Sequence, residues 1–130
     1  ADLSDHLVNP VILGKQISGG HSINNFNIAL NDAGGIVLSK VEKGLGIYEI
    51  KYQLPNTAKP AIKTVYDADI YPNMDSMANL AATRALMQYQ ITGVAEQKIV
   101  VDGVEFFVPI KTISGKLPTV PTAYPIGASQ

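Results

Sequence analysis

The chain lacks cysteine and carries few charges. Without cysteine among its 130 residues it has no disulfide, no thiolate nucleophile and no thiolate metal ligand, so packing must hold the fold together. Ten basic and eleven acidic residues give a net charge of −1, without the overall basic field that drives non-specific nucleic-acid binding. A bound polyanion would therefore have to meet a local patch. The candidate patch is a group of lysines close in sequence: Lys40, Lys43, Lys51, Lys59 and Lys63. Lysines in such a group are more commonly solvated residues on strand edges.

Long apolar runs are also absent. No run approaches the roughly 18 residues that a membrane span needs, so we expect no membrane span. The content of 46% hydrophobic and 16% charged residues is typical of a globular chain, and the length fits one domain over residues 1–130. The chain begins at Ala1 without a leader-like segment, so we expect it to be a piece of a longer protein.

The apolar pattern changes along the chain and predicts an α+β fold with antiparallel sheets, one long helix and short N-terminal helical segments. The helix is expected from Asp75 or Ser76 to about Gln90, with an apolar face of Met77, Leu80, Ala81 and Ala85. The stretch from Leu3 to Leu13 is expected to be helical or irregular. Strands are predicted over 23–30, 36–41, 48–52, 61–66, 98–101, 104–110 and 120–124, with turns at Asp32-Ala33-Gly34-Gly35, Gly44-Leu45-Gly46 and Asp102-Gly103.

Two histidines are present, both near the start: His6, and His21 directly after Gly19-Gly20. Imidazole is the only side chain that, unperturbed, gains and loses a proton near neutral pH, so a pair can supply both an acid and a base. From their spacing alone, ordinary surface or core histidines are the more frequent explanation. The surrounding motifs favour a catalytic role.

Four motifs occur in one order: Gly19-Gly20-His21, then Ile62-Lys63-Thr64-Val65-Tyr66-Asp67, then Val101-Asp102-Gly103-Val104-Glu105-Phe106, then Thr122-Ala123-Tyr124-Pro125. In this order, which spans nearly the whole chain, the sequence resembles the EndoU endoribonuclease family. It looks most like the small EndoU domains at the C-terminal ends of contact-dependent growth inhibition and related polymorphic toxins. The resemblance implies an EndoU-like, ribonuclease A-like fold.

The resemblance also implies roles for individual residues. His21 would be the base that activates a ribose 2′-OH, His6 the acid that protonates the leaving 5′-oxygen, and Lys63 the cation that stabilises the phosphorane-like state. Lys51 is the alternative lysine. Thr122 and Tyr124 would line a base pocket.

This chemistry is self-consistent. Cleavage of RNA by its own 2′-OH needs a base, an acid and positive charge at the phosphate, and it yields a 2′,3′-cyclic phosphate. DNA lacks the 2′-OH and is not expected as a substrate. Gly19 and Gly20 would let backbone N–H groups approach the phosphate, although a plain turn is the simpler interpretation. Tyr124 would stack on a splayed base, and Thr122 would lie on the same strand face. From the sequence alone, a core or rim position is the commoner role for Tyr124.

No cofactor or metal is expected. Asp67 and Asp69 are two positions apart, but no histidine or glycine-spaced carboxylate loop accompanies them. Because this metal signal is poor, we expect metal-independent cleavage. The resemblance implies an RNA substrate, with tRNA as one candidate, and a cognate immunity protein. It also implies a monomer, secreted or presented at the cell surface within a larger protein, that acts in the target-cell cytoplasm.

Two other functions stay open. One is a catalytically inactive EndoU-like module that binds RNA or protein. The other is an unrelated α+β fragment of a secreted protein. The near-neutral net charge favours these two alternatives over the nuclease.

Overall fold

The computed structural model describes residues 11–13, 16–18 and 21–129, and these form an α+β fold. Its strands make a two-stranded sheet of order β1-β2 and two three-stranded sheets, of order β3-β4-β5 and β6-β7-β8, all antiparallel. The elements are β1 (Val11–Leu13), β2 (Gln16–Ser18), α1 (Ile23–Asp32), β3 (Ile36–Glu42), β4 (Ile47–Gln53), β5 (Ala61–Tyr66), α2 (Met74–Thr92), β6 (Glu96–Val101), β7 (Val104–Pro109) and β8 (Tyr124–Ala128). No helix in this part of the chain combines the length and apolarity needed to cross a membrane.

The N-terminal third differs most from the sequence prediction. The segment Ile23–Asp32 is helix α1 and not a strand. Phe26 and Leu30, four residues apart, are both buried, while Asn24 and Asn27 are exposed, so the burial has the period of a helix. Residues 11–13 of the stretch expected to be helical or irregular form strand β1, and residues 3–10 lie outside the described residues.

The first core lies between α1 and the β3-β4-β5 sheet. Phe26 and Leu30 pack with Ile50, Tyr52 and Val65 of the sheet. The Phe26 and Tyr52 rings meet edge to face with centroids 5.1 Å apart, a favoured aromatic geometry. Tyr52 is fully buried, and Tyr48 packs at the edge of this cluster.

The second core lies between α2 and the β6-β7-β8 sheet. The two predicted strands on either side of Asp102-Gly103 are confirmed as the hairpin of β6 and β7, with Asp102 and Gly103 at φ 48° and 79° in its turn. Val104, Phe106 and Val108 of β7 are fully buried. The helix packs through small residues that let its backbone approach the sheet: Ala78, Ala81, Ala82 and Ala85, together with Met74.

The long helix and the last strand of this half differ from the prediction. Helix α2 runs from Met74 to Thr92, and Leu80 is 42% exposed instead of belonging to the apolar face, because the buried stripe is shifted to Ala78 and Ala82. The last strand is Tyr124–Ala128 and not Val120–Tyr124. Pro121 has no N–H to give to a ladder, and an antiparallel bridge between Lys111 and Thr119 holds the chain before it.

The two sheets meet where the β3–β4 turn touches β8. Ala128 N donates to Lys43 O at 2.9 Å, and strands β4 and β5 both contact β8. Gly44, in the predicted turn, has φ +114°, and a Cβ there would lie 2.1 Å from Ala128 O. Strand β3 is exposed along its whole length at the outer side of its sheet, with a bulge between Val37 and Ser39.

We expect Gly44→Ala to destabilise the protein by roughly 2–5 kcal/mol, because it adds both steric overlap and an unfavourable φ. Gly93→Ala is the matched control, since Gly93 also has a positive φ (+70°) but no atom of the described residues lies within 4 Å of the added Cβ. That control should lose only about 1 kcal/mol. Urea unfolding of the two variants measures the difference, and equal losses would show that the Gly44 contact does not join the sheets.

Candidate active site

His21 lies where the edge of a sheet passes into a helix. Residues 21 and 22 run beside the outer edge of β5, with a parallel bridge between Ser22 and Tyr66. Tyr66 N donates to His21 O at 2.7 Å, and α1 begins directly afterwards at Ile23. The backbone of His21 is thus fixed on both sides, and its side chain is 5% exposed.

A hydrogen bond to the backbone of Thr64, two residues before Tyr66 on β5, fixes the His21 ring. Its Nδ1 lies 2.7 Å from the backbone oxygen of Thr64. A carbonyl oxygen only accepts, so Nδ1 carries the hydrogen and donates it. In the neutral ring the lone pair is therefore on Nε2, which is the form that a general base needs.

The other side of the site comes from the second sheet. The rings of His21 and Tyr124 are stacked, with centroids 5.0 Å apart and planes inclined by 5°. Phe107 lies against Tyr124 with centroids 5.6 Å apart. Burial, and then the Glu96 carboxylate, raise the pKa of the Tyr124 phenol, so the hydroxyl stays neutral and can donate at physiological pH. The structure therefore brings together His21 and Tyr124, two of the residues that the sequence singled out.

Lys63 lies on β5, one residue before the Thr64 carbonyl that holds His21. It is 8% exposed and pairs in register with Ile50, on the sheet face that α1 covers. Burial lowers the pKa of its ammonium group to about 8. Lys51, the alternative lysine, is exposed and belongs to the opposite sheet face.

The five lysines close in sequence do not form one exposed patch. Lys63 is buried, while Lys40, Lys43, Lys51 and Lys59 are exposed. The ammonium of Lys40 lies 4.4 Å from the centroid of the Tyr48 ring, in the range of a cation–π contact.

Thr122 precedes β8 by two residues. Its Oγ1 is buried and has no hydrogen-bond partner among the described residues. An unpaired buried hydroxyl costs about 1–3 kcal/mol. His6, Gly19 and Gly20 lie outside the described residues.

The group that orients His21 was missed by sequence reasoning. It is the main-chain oxygen of Thr64, and a backbone carbonyl leaves no residue-type signal. Asp67 accepts a hydrogen bond from Asp69 N at 2.8 Å and so closes a local turn. Within residues 21–129, no group of three or more histidine, aspartate or glutamate side chains could hold a metal ion.

Comparison with known proteins gives one local similarity. No protein-family profile matches the chain. A curated protein, the tRNA nuclease CdiA of Escherichia coli (strain STEC_O31), is 32% identical over 90 residues. The match covers 58% of this chain and 3% of the length of CdiA. The chain is therefore similar to a small part of a much larger protein that is named as a tRNA nuclease.

Burial of Lys63 predicts a pH-dependent difference in stability between wild type and Lys63→Met. The folded-state pKa of about 8 lies below the ordinary lysine value of 10.5, so the unfolded chain binds more protons between these pH values and folding stability rises with pH there. We expect the free energy of unfolding of wild type, relative to Lys63→Met, to rise by about 3 kcal/mol from pH 8 to 10.5. Urea titrations at several pH values measure it, and two parallel profiles would show that the ammonium is solvated.

Proposed function

We propose that this chain is an EndoU-type endoribonuclease toxin domain that cleaves RNA by 2′-OH attack. The observation that carries the proposal is the hydrogen bond from His21 Nδ1 to Thr64 O, because it leaves Nε2 as the proton acceptor of the neutral ring. The local similarity to a tRNA nuclease supports an RNA substrate and makes tRNA the first candidate.

In the proposed reaction His21 Nε2 takes the proton of the ribose 2′-OH. The 2′-oxygen then attacks the adjacent phosphorus, the bond to the 5′-oxygen breaks, and His6 gives a proton to that departing oxygen. One strand end carries a 2′,3′-cyclic phosphate and the other a free 5′-hydroxyl. No water is consumed in this step.

Positive charge at the phosphate is assigned to Lys63. Its low exposure matters because a cation in a poorly hydrated site stabilises developing negative charge more strongly than one in water. With a pKa of about 8, most of the ammonium is still protonated at neutral pH. Lys51 is exposed on the other face, so Lys63 is the better supported of the two.

Base binding is assigned to Thr122 and Tyr124. The Thr122 hydroxyl has no hydrogen-bond partner in the part of the chain that the structure describes, and the Tyr124 ring is held in place by His21 and Phe107. A base beside Tyr124 would lie next to the ring that activates the 2′-OH of the same nucleotide. Gly19 and Gly20 remain assigned to the phosphate through their backbone N–H groups.

The wider biological setting is part of the same proposal. The chain is proposed to be one EndoU-like, ribonuclease A-like domain over residues 1–130, monomeric and independent of metal and cofactor. We propose that it is delivered as part of a larger secreted or cell-surface protein, as its match to a small part of CdiA suggests, and acts in the cytoplasm of a competing cell. A cognate immunity protein would protect the producing cell.

Loss of the base should remove most of the activity. We expect His21→Ala to slow cleavage of total tRNA by 10²–10⁴-fold, the usual contribution of general acid–base catalysis, and His6→Ala to do the same. Lys63→Ala should be similarly impaired, while Lys51→Ala is the matched control with wild-type activity. Gel analysis, end-group mapping of the cyclic phosphate and near-ultraviolet circular dichroism test activity, chemistry and folding together.

Intact RNA after prolonged incubation with folded wild-type protein would contradict the proposal and favour the inactive binding module. Cleavage that stops with a chelator would contradict metal independence. Equal activities of the Lys63 and Lys51 variants would remove Lys63 from the reaction.

The pKa of Lys63 also predicts the alkaline side of the pH profile. As pH rises through about 8 the ammonium loses its proton and its positive charge, so the cleavage rate should fall. Arginine stays charged, and Lys63→Arg should keep part of the activity without this decline. Single-turnover rates from pH 6 to 9.5 measure both profiles, and an identical alkaline decline in the variant would assign it to another group.

A further inference from the structure

A cavity of about 390 Å³ lies beside the junction that carries His21. One wall is the start of α1, with Ser22, Asn24 and Asn25, and the opposite wall is the segment from β5 into α2, with Tyr66 and Tyr71. Its volume is in the range of small-molecule sites in proteins, about 300–1,000 Å³. None of the roles assigned above uses this cavity.

The polar groups of the cavity suit a nucleobase better than a phosphate. Asn24 and Asn25 bring amides that can both donate and accept, and Asp75 brings a carboxylate that accepts. The Asp75 carboxylate lies close enough to the Tyr66 phenol to raise its pKa further, after the larger effect of burial. A carboxylate repels a phosphate, whereas aspartate and asparagine side chains recognise amino groups on base edges.

Tyr71 gives the cavity an ordered aromatic wall. Its hydroxyl donates to Leu45 O, and its ring lies so close to Gly46 that a Cβ there would be 3.0 Å from Cε2. The ring is thus fixed at both its tip and its side before any ligand arrives. Aromatic rings are the common stacking partners of splayed bases in single-stranded RNA, and a fixed ring loses little entropy on binding.

The cavity and the candidate active site share their framework. Ser22 and Tyr66 line the cavity, and these two residues form the bridge that holds His21 against β5. The cavity therefore begins one residue along the chain from His21, within reach of a nucleotide next to the cleaved one.

We propose that this cavity binds the base of a nucleotide next to the cleaved one, and that this base carries an exocyclic amino group, so adenine, cytosine or guanine and not uracil. The proposal rests on the nuclease function proposed above. It makes Asn24, Asn25, Tyr71 and Asp75 specificity-determining residues, separate from the Thr122 and Tyr124 pocket.

The first test sequences the cut ends of an RNA library randomised around the cleavage site. Wild type should disfavour uracil about tenfold at one flanking position, a typical magnitude for one good base contact. Asp75→Asn and Asn24→Ala should each reduce that bias without changing the preference at the cleaved nucleotide. Matched controls are Asp69→Asn, and Asn27→Ala on the same helix, because neither residue lines the cavity.

The second test does not need catalysis. Wild-type protein is titrated with AMP, CMP, GMP and UMP while nuclear magnetic resonance follows the side-chain amides of Asn24 and Asn25. Larger shifts with the first three nucleotides than with UMP support the proposal. A library preference identical in Asp75→Asn and wild type, together with amide signals that no nucleotide moves, overturns it.

The two proposals can fail separately. If folded wild type cuts no RNA but AMP moves the Asn24 and Asn25 signals, the nuclease function is wrong and the cavity still binds bases. If wild type cuts RNA and neither test responds at the cavity, the cavity proposal is wrong and the nuclease function stands.

Discussion

The hydrogen bond from Tyr66 N to His21 O is the contact on which the rest of the site depends. It satisfies a backbone group at the edge of β5 and fixes the point where the chain turns into α1. From that point, Phe26 and Leu30 reach the sheet and bury the first core. The same pairing of residue 21 with β5 brings the His21 ring to the Thr64 carbonyl. The register of this pairing therefore decides both the packing of α1 and the orientation of the imidazole.

The candidate active site lies between two cores that share strands β4 and β5. Ile50 and Val65 point into the core under α1, while Ile47 and Tyr66 point into the core under α2. His21 is attached to β5 of the first sheet and Tyr124 begins β8 of the second, so their stacked rings join the two sheets. The geometry of the site is therefore as rigid as the packing of one sheet against the other.

Alternation and turn residues made most strands predictable, as in β4 and in the hairpin at Asp102-Gly103. Helix α1 was missed because asparagines surround its two buried residues and outweigh the helical period in so short a segment. His21 and Tyr124 could be chosen from sequence motifs, and they are in contact. The orienting Thr64 carbonyl and the wall formed by Tyr71 arise only from the register of β5 and the path of the chain after it.

The exposed outer strand has a consequence for the behaviour of the protein in solution. Ile36, Val37, Leu38 and Val41 of β3 are each about half exposed or more. A flat apolar edge of this kind templates pairing with the edges of other chains and so promotes aggregation. The bulge between Val37 and Ser39 interrupts the regular spacing of the edge, and the charge of Lys40 opposes close approach of a second copy. These two local features oppose edge-to-edge pairing of β3 with a second copy of the chain.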